Sequence, residues 1–237
     1  MKQLIKWLLF WVILSLVFIS TAVFLLCYAN GYRINWKAKK IQKTGLVIVK
    51  SYPSKADVFF DGHEIGKAPL RISYVLPGQH DVSLKLEDHQ EWNQTVSVEE
   101  TMALSIEADL FYSQPIIKDY IGQAVDYSLP EKPSIKNDSE LWDKKSLVTR
   151  FSRPVLDATW AKDRRSIIYQ IDNEIRVISS DGLHDFLLAK LSSSEIVDLY
   201  PKSDYELIYK DSSGQKLVQF RDKVNWSTNI QYLNFKF

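Results

Sequence analysis

The sequence predicts a mainly β protein that an N-terminal transmembrane helix attaches to a membrane. Three patterns support this fold class: an uncharged apolar segment near the N-terminus, apolar and polar residues that alternate with period two over residues 45–110, and a repeat of about 40 residues further along the chain. The predicted order is a membrane helix, a small all-β module and about two and a half repeats of the kind that forms β-propeller blades. The corresponding regions are an anchor with a basic flank (1–43, helix about 4–29), the module (44–111), a linker (112–138) and a repeat region (139–237).

The anchor prediction depends on residues 7–29, which include no charged side chain. As a helix this segment would be about 34 Å long, enough to cross a bilayer. Lys2 and Lys6 precede it, and Tyr32 and Trp36 follow it, as is typical of residues at a membrane interface. We therefore expect residues 7–29 to contact the lipid bilayer.

A cleaved signal peptide is the alternative for the same segment. Signal peptides have an apolar core of about 7 to 15 residues, which is shorter than the segment found here. Cys27-Tyr28-Ala29 would serve as a cleavage site, whereas the bulky Leu26 argues against Cys27 as a lipidated cysteine. The prediction is an uncleaved signal anchor.

Two opposing arguments bear on the orientation of the anchor. More basic residues follow the helix than precede it, and this count alone would place the C-terminal region in the cytoplasm. Long downstream regions, however, translocate largely regardless of nearby charge. We expect a single-pass protein of the cell membrane whose C-terminal region is extracytoplasmic, in the cell envelope. The basic residues after the helix are Arg33, Lys37, Lys39, Lys40 and Lys43.

The composition limits the classes of partner. The chain has 30 basic and 29 acidic residues and a net charge of +1. Because no basic block lies outside the membrane flank, nucleic acid is not an expected partner. The single cysteine, Cys27, excludes an intrachain disulfide, so the fold must be held together by burial.

The small module has the period of half-buried strands. Apolar residues alternate with polar ones from Val82 to Leu86 and from Leu104 to Leu110. Further strands are predicted at 46–50, 57–60 and 95–98. Turns fall where the backbone is restricted or readily left-handed. These turns are at Pro53-Ser54, Asp61-Gly62, Pro77-Gly78 and Asp88-His89.

Several strings in this module resemble the PEGA domain. They are GLVIV at 45–49, SYPSKADVFFDG at 51–62, IGKAPL at 65–70 and LPGQHDV at 76–82. The resemblance covers the whole module and implies a compact β-sandwich of bacterial and archaeal envelope proteins, used for binding or as a spacer and without catalytic residues. The chain departs from the family at Lys55, where glycine is usual, and at Asp88-His89, where Gly-Tyr is common. Lys55 would then adopt a turn geometry that costs about 1 kcal/mol more than for glycine.

Two residues of the module are candidate ligand contacts. We expect Trp92 to be an exposed aromatic side chain, and His63, with Glu64, to lie in an exposed hairpin loop. A structural role, as a rim aromatic and a polar hairpin tip, is the favoured interpretation. Asp57 and Asp61 are two carboxylates on one strand face, for which a solvated face leading into a turn is the favoured interpretation.

The region after the module contains a linker and then a repeat. The linker loses periodicity and contains three prolines, which stiffen it. Beyond it, Asp157 and Asp198 are 41 residues apart and Tyr169 and Tyr209 are 40 apart, close to the period of propeller blades, roughly 40 to 45 residues. Each unit is predicted to be a strand, an aspartate-bearing turn, an apolar strand and a hairpin.

These units resemble TolB-like propeller repeats over residues 139 to about 226. The strings that match are WAKDR at 160–164 and YPKSD at 200–204. We expect Trp160 and Tyr200 to end the innermost strands, with Ile167-Ile168 and Leu207-Ile208 buried between sheets.

The number of blades leaves the array incomplete. Closure takes about four or more blades, which this chain is too short to supply. Another chain would complete the array, or the linker and the tail Gln231–Phe237 would cap it, or the gene product is truncated.

The sequence predicts no catalytic constellation, metal site or cofactor. The four histidines lack metal-ligand spacing, and neither a nucleophile elbow nor a Gly-rich phosphate loop is found. The predicted function is an envelope protein that binds or scaffolds a protein or cell-wall glycan, with self-association through open blade edges. A purely structural spacer and a cytoplasm-facing sensor or adaptor subunit are the alternatives. The histidines are His63, His80, His89 and His184.

Overall fold

The computed structural model describes residues 2–36, 39–122 and 132–223. These residues form an N-terminal helix, a short hairpin, a pair of sheets that share one core, and three further sheets. The predicted mainly β architecture with an N-terminal apolar helix is confirmed.

The helix α1 (Lys2–Ala29) contains the predicted apolar segment. Its stretch Ile5–Ala29 has a mean hydropathy of 2.6, and none of its most apolar window is buried by the protein. The Ser15 and Thr21 hydroxyls each donate a hydrogen bond of 2.8 Å to the carbonyl four residues earlier, which satisfies these polar groups without water. A helix of this length and composition fits a membrane anchor and also a signal peptide.

A short hairpin follows the helix directly. Gly31 has a φ of +81°, the left-handed conformation that commonly ends helices. β1 (Tyr32–Asn35) then pairs antiparallel with β2 (Lys40–Lys43). The Thr44 N–H and hydroxyl both donate to the Gly31 carbonyl, at 3.2 and 3.0 Å, and so close the base of the hairpin.

Residues 45–109 form two sheets that share one hydrophobic core. Their strands are β3 (Gly45–Tyr52), β4 (Asp57–Phe60), β5 (His63–Lys67), β6 (Leu70–Val75), β7 (Gly78–Lys85), β8 (Trp92–Val98) and β9 (Ala103–Asp109). One sheet has the order β6-β3-β9 and the other β5-β4-β7-β8. β3 and β9 are parallel, and the other neighbours are antiparallel.

The alternating residues supply this core, as their period predicts. In β3 every second residue is buried, among them Val47 and Val49, and in the second half of β7 Val82 and Leu84 are buried. The strands predicted at 46–50, 57–60 and 95–98 are confirmed. β5 and β6 were not predicted as strands. Four of the five residues of β5 are exposed, so local periodicity does not mark it, whereas β6 does alternate from Leu70 to Ser73 and was missed.

The turns of the module have the left-handed residues that the sequence predicts. Lys55 has a φ of 76°, so the position that is usually glycine in the family does take the conformation that glycine adopts most readily. Asp61 and Gly62 are both left-handed, as in a type I′ hairpin, and Asp88 has a φ of 61°.

The second β region consists of three antiparallel sheets. Its strands are β10 (Ile116–Asp119), β11 (Ser134–Lys136), β12 (Glu140–Asp143), β13 (Ser146–Arg150), β14 (Val155–Trp160), β15 (Ser166–Ile171), β16 (Glu174–Ser179), β17 (Asp185–Lys190), β18 (Leu199–Pro201), β19 (Glu206–Asp211) and β20 (Gly214–Gln219). The sheet orders are β11-β12-β13, β14-β15-β16-β17 and β10-β20-β19-β18. β11 contacts β14, and β14 contacts β18, so one terminal strand of each sheet lies beside that of the next.

The two predicted repeat units correspond to the two four-stranded sheets. Trp160 ends β14, Tyr200 lies in β18, and the pairs Ile167-Ile168 and Leu207-Ile208 are buried. The described residues form three sheets without closing a ring, so the propeller and the TolB-like resemblance stay predictions at this point.

The linker contributes strands that its sequence does not predict. β10 pairs antiparallel with β20, and β11 opens the first of the three sheets. All four residues of β10 are exposed, so hydrogen bonding to a distant strand, which leaves no periodic signal, determines its structure. The tail Gln231–Phe237, predicted as a cap, lies outside the described residues.

Candidate ligand cleft between the two β regions

The second β region packs against the end of the sandwich that lies away from α1. β3 begins at Gly45 beside the hairpin, and β3 and its parallel neighbour β9 end at Tyr52 and Asp109. The Arg165 guanidinium lies 4.4 Å from the centre of the Tyr52 ring, and its Nε lies 3.1 Å from Asp109 Oδ2. The strand of eight residues thus separates the helix from the second region by about 25 Å.

The expected exposure of Trp92 is wrong. Trp92 is only 3% exposed, because its ring stacks on His184 of the second region with centroids 4.7 Å apart and an interplanar angle of 13°. The His184 Nε2 lies 3.1 Å from the Asn93 carbonyl. Trp92 therefore joins the two regions instead of facing solvent.

Phe111 continues this contact from the end of the module. It is fully buried in the core of the second region, with its ring centre 5.5 Å from that of Phe186 and 6.1 Å from that of Phe220. The last residue of the segment that resembles a PEGA domain is thus part of the neighbouring core.

A cluster of charges is buried beside these aromatic rings. Arg221 donates from Nη2 to Asp163 and from Nε to the Asp204 carbonyl at 2.6 Å, and its Nη1 lies at an ion-pair distance of 3.6 Å from Asp109. Burial raises the pKa of Asp109, and the cations of Arg165 and Arg221 oppose that rise. The cluster joins the end of β9 to the second region by electrostatic contacts that water does not screen.

A polar cavity of about 580 Å³ opens at the edge of this interface. Three separate segments line it: the turn after β7, the segment from Tyr112 to β10, and the residue Asp222 that follows β20. An isolated β-bridge between His89 and Tyr112 holds the first two segments together. The lining residues are Glu87, Asp88, His89, Tyr112, Ser113, Gln114, Ile116 and Asp222.

Asp222 organises the inner wall of this cleft. The Tyr112 hydroxyl donates to Asp222 Oδ1 at 2.5 Å, and His89 Nε2 lies 3.3 Å from Asp222 Oδ2. His89 Nδ1 in turn donates to the Glu87 carbonyl at 2.7 Å, and the His89 and Tyr112 ring centres are 5.0 Å apart. Burial, with a further contribution from the Asp222 carboxylate, raises the pKa of Tyr112 to about 12, so the phenol stays a hydrogen-bond donor at physiological pH.

The lining of the cleft is rich in hydrogen-bond acceptors. Glu87, Asp88 and Asp222 contribute carboxylates, and the lining includes neither lysine nor arginine. Carboxylates accept hydrogen bonds from hydroxyl and ammonium groups. No group of three or more His, Cys, Asp or Glu residues suited to a metal ion occurs in the described part of the chain.

His63 lies elsewhere on the sandwich. It is the exposed first residue of β5, and its Nδ1 lies 3.0 Å from the Asp61 carbonyl oxygen. His63 pairs with Phe60 at the C-terminal end of β4, whereas Lys85 pairs with Asp57 at the N-terminal end. Asp57 pairs with Lys67, and Asp61 accepts from the Asp81 N–H and contacts His80. His63 and Trp92 are therefore not brought together.

The sequence contains a partial signal for the cleft. The pair Asp88-His89 stands where the family commonly has Gly-Tyr, and these two residues line the cavity. Tyr112 and Asp222 have no such signal, since they are 110 positions apart and meet only through the fold.

Comparison with known families agrees with the fold of the module. Residues 44–111 match the PEGA domain family. No curated protein matches the chain. The chain therefore contains a PEGA domain between an N-terminal apolar helix and a second β region.

Proposed function

We propose that this protein is a single-pass, membrane-anchored binding protein of the cell envelope, and that its ligand occupies the cleft around Asp222. α1 supports the anchor, and the PEGA domain supports a binding role outside the cytoplasm. The cleft is the observation on which the binding proposal depends, because its volume of about 580 Å³ is within the usual range for ligand pockets, about 300 to 1,000 Å³. No catalytic role is proposed for any residue.

The ligand that suits this lining is a cell-wall glycan. Sugar hydroxyl and acetamido N–H groups are donors, which match the carboxylates of Asp88 and Asp222, and the Tyr112 ring adds apolar surface. A protein partner would instead be expected to need a larger and more apolar surface.

The three sheets of the second region act in this proposal as blades of an open propeller. The neighbouring terminal strands β11, β14 and β18, and the antiparallel pairing of consecutive strands within each sheet, are typical of propeller blades; β10 alone joins its sheet from outside the meander. Strand β17 ends its sheet among the described residues, and such an edge can pair with a second copy or another chain.

Membrane attachment is tested by fractionation and a charge in the helix. The full chain is expected to stay in the membrane fraction after an alkaline wash, whereas Leu16→Arg should lose about 2.5 to 3.5 kcal/mol of insertion free energy. Accessibility to protease on intact cells gives the orientation. A soluble mature chain beginning at Asn30 would contradict the anchor, and protection of the C-terminal region would favour the cytoplasm-facing sensor.

Ligand binding is tested with the detergent-solubilised chain and soluble peptidoglycan fragments. Asp222→Asn should weaken binding strongly, because it removes the charge that both Tyr112 and His89 face. Glu100→Gln, a charge removal outside the cleft lining, is the matched control. Equal binding by the two variants, or no binding by the unmodified chain, would favour the spacer alternative.

A further inference from the structure

The hairpin β1–β2 presents an apolar face that the described part of the protein does not cover. Tyr32, Ile34 and Ile41 lie on one face, since Ile34 is directly opposite Ile41 in the register. Ile34 is 47% exposed, Ile41 is 69% exposed, and Trp36 just after β1 is 81% exposed. The opposite face points inward, where Gln42 is buried. An isolated two-stranded hairpin is marginal in water, so a bare apolar face on one requires a covering surface.

Arg33 fixes the hairpin relative to both of its neighbours. Its guanidinium lies 3.7 Å from the centre of the Tyr28 ring in α1 and 4.1 Å from that of Tyr74 in the sandwich. Its Nη1 also donates to the carbonyls of Tyr28 and Tyr32, at 2.8 and 2.9 Å. The apolar face therefore has a set position close to the end of α1, three residues after Ala29.

The charges around this face are strongly one-sided. The first acidic residue of the chain is Asp57, so every charged side chain of the hairpin is basic. Arg71 adds a further cation, lining a cavity of about 390 Å³ beside the end of α1. Glu99 and Glu100 are the nearby acids at this end of the sandwich and only partly offset the cations. The hairpin cations on described residues are Arg33, Lys39, Lys40 and Lys43.

We propose that the hairpin β1–β2 docks on the surface of an anionic lipid bilayer, with Ile34, Trp36 and Ile41 among the headgroups. This inference depends on the proposed anchoring by α1, which would place the hairpin at headgroup depth because only Asn30 and Gly31 separate them. Tryptophan prefers that depth, and lysines near an anionic surface gain attraction that falls off within a Debye length. The docked hairpin sets the orientation of the PEGA domain above the membrane.

The test places an environment-sensitive probe on the apolar face of the full chain. In a Cys27→Ser background, Ile41→Cys is labelled with a nitrobenzoxadiazole fluorophore, and the chain is reconstituted into nanodiscs with and without phosphatidylglycerol. Lys145→Cys, in an exposed turn of the second region, receives the same label as the control. Quenching by a lipid-borne quencher reports contact with the bilayer.

We expect the probe at position 41 to be blue-shifted and quenched from the lipid in anionic discs, and the control at 145 to stay in water. Neutral lipid, high salt, or the combined changes Lys39→Gln, Lys40→Gln and Lys43→Gln should reduce this quenching.

Four results would overturn the proposal. If the probe at position 41 is as exposed to water as the probe at position 145, the hairpin does not dock. Equal quenching in neutral and anionic discs would show that the basic residues do not contribute to docking. If shielding of the probe at position 41 depends on the number of protein chains per disc and not on the lipid, a second copy of the chain covers the face. A chain that does not stay with the discs overturns the anchor as well, whereas a wet probe on disc-bound chain overturns docking alone.

Discussion

Arg221 is the largest fully buried side chain of the described protein, with an exposure of 1%. Its guanidinium faces Asp163 and Asp109, so its removal leaves two buried carboxylates without the positive charge that balances them. We predict that Arg221→Met lowers the free energy of unfolding by about 3 to 5 kcal/mol. Urea unfolding of the solubilised chain measures it. Arg153→Met, which breaks an exposed pair with Asp172, is the control and should cost less than about 1 kcal/mol; a similar loss in both variants would contradict the role of the cluster.

Tyr112 gives the cleft a pH dependence in the alkaline range. Its pKa is raised from 10.0 to about 12, by burial first and then by Asp222. Because the folded protein holds the phenol protonated, its contribution to stability is complete below pH 10 and is lost as the pH rises through about 12. Tyr112→Phe should flatten the pH dependence of unfolding in this window. In Asp222→Asn, ultraviolet titration should show the Tyr112 pKa falling; an unchanged value would mean that burial alone raises it.

Lys55 occupies a turn position where the PEGA family usually has glycine. With a φ of 76°, it occupies a conformation that glycine adopts at lower cost, and its exposed side chain loses no buried contact on removal. Lys55→Gly should be neutral or stabilising by up to about 1 kcal/mol in thermal unfolding. Lys55→Ala, which keeps the Cβ, should give no such gain, and a clear loss with glycine would show that the lysine side chain contributes to the turn.

At the scale of elements, the hairpin between β16 and β17 packs tightly on the neighbouring sheet. Gly182 has a φ of +78°, and a Cβ there would lie 2.3 Å from the Val148 carbonyl oxygen. Gly182→Ala should therefore force the two sheets apart and cost clearly more than Gly62→Ala. Gly62 has nearly the same φ of +79°, and nothing lies within 4 Å of where a Cβ would be. Gly62→Ala should therefore lower the free energy of unfolding only by the cost of the left-handed conformation, about 1 kcal/mol. Equal losses in chemical unfolding would show that the hairpin can move away freely.

Local pattern predicts elements only where one face is buried. β7 and β9 were predicted because their apolar residues alternate with polar ones along the strand. β10 has no buried residue, so its sequence does not differ from that of a loop. β10 forms its backbone hydrogen bonds with β20, a strand far along the chain. β6 does alternate, with Leu70 and Ile72 packed against the core, but it was missed as a strand.

At the scale of the whole molecule, the second region depends on residues that precede it. The fragment 139–237 lacks β10, β11 and the contacts of Phe111 and Asp109, so it exposes the edge of β20 and part of its core. We predict that this fragment associates or aggregates, because unpaired edges and wet apolar patches favour association. The fragment 44–237 retains these elements and should sediment as a discrete species. A monodisperse, cooperatively unfolding monomer of 139–237 would contradict the prediction.

The apolar helix and the alternating strands of the PEGA domain were determined by the sequence itself, since each depends on residues close together in the chain. The positive φ of Lys55 was implied by the resemblance to the family, which usually has glycine there. The tertiary structure alone decided that Trp92 is covered by His184, that Arg221 reaches Asp109, and that Tyr112 and Asp222 form one cleft. These contacts join residues far apart in sequence. Their geometry is set by how the two β regions pack, which depends on the combined burial and pairing of many side chains and leaves no periodic trace at any one of them.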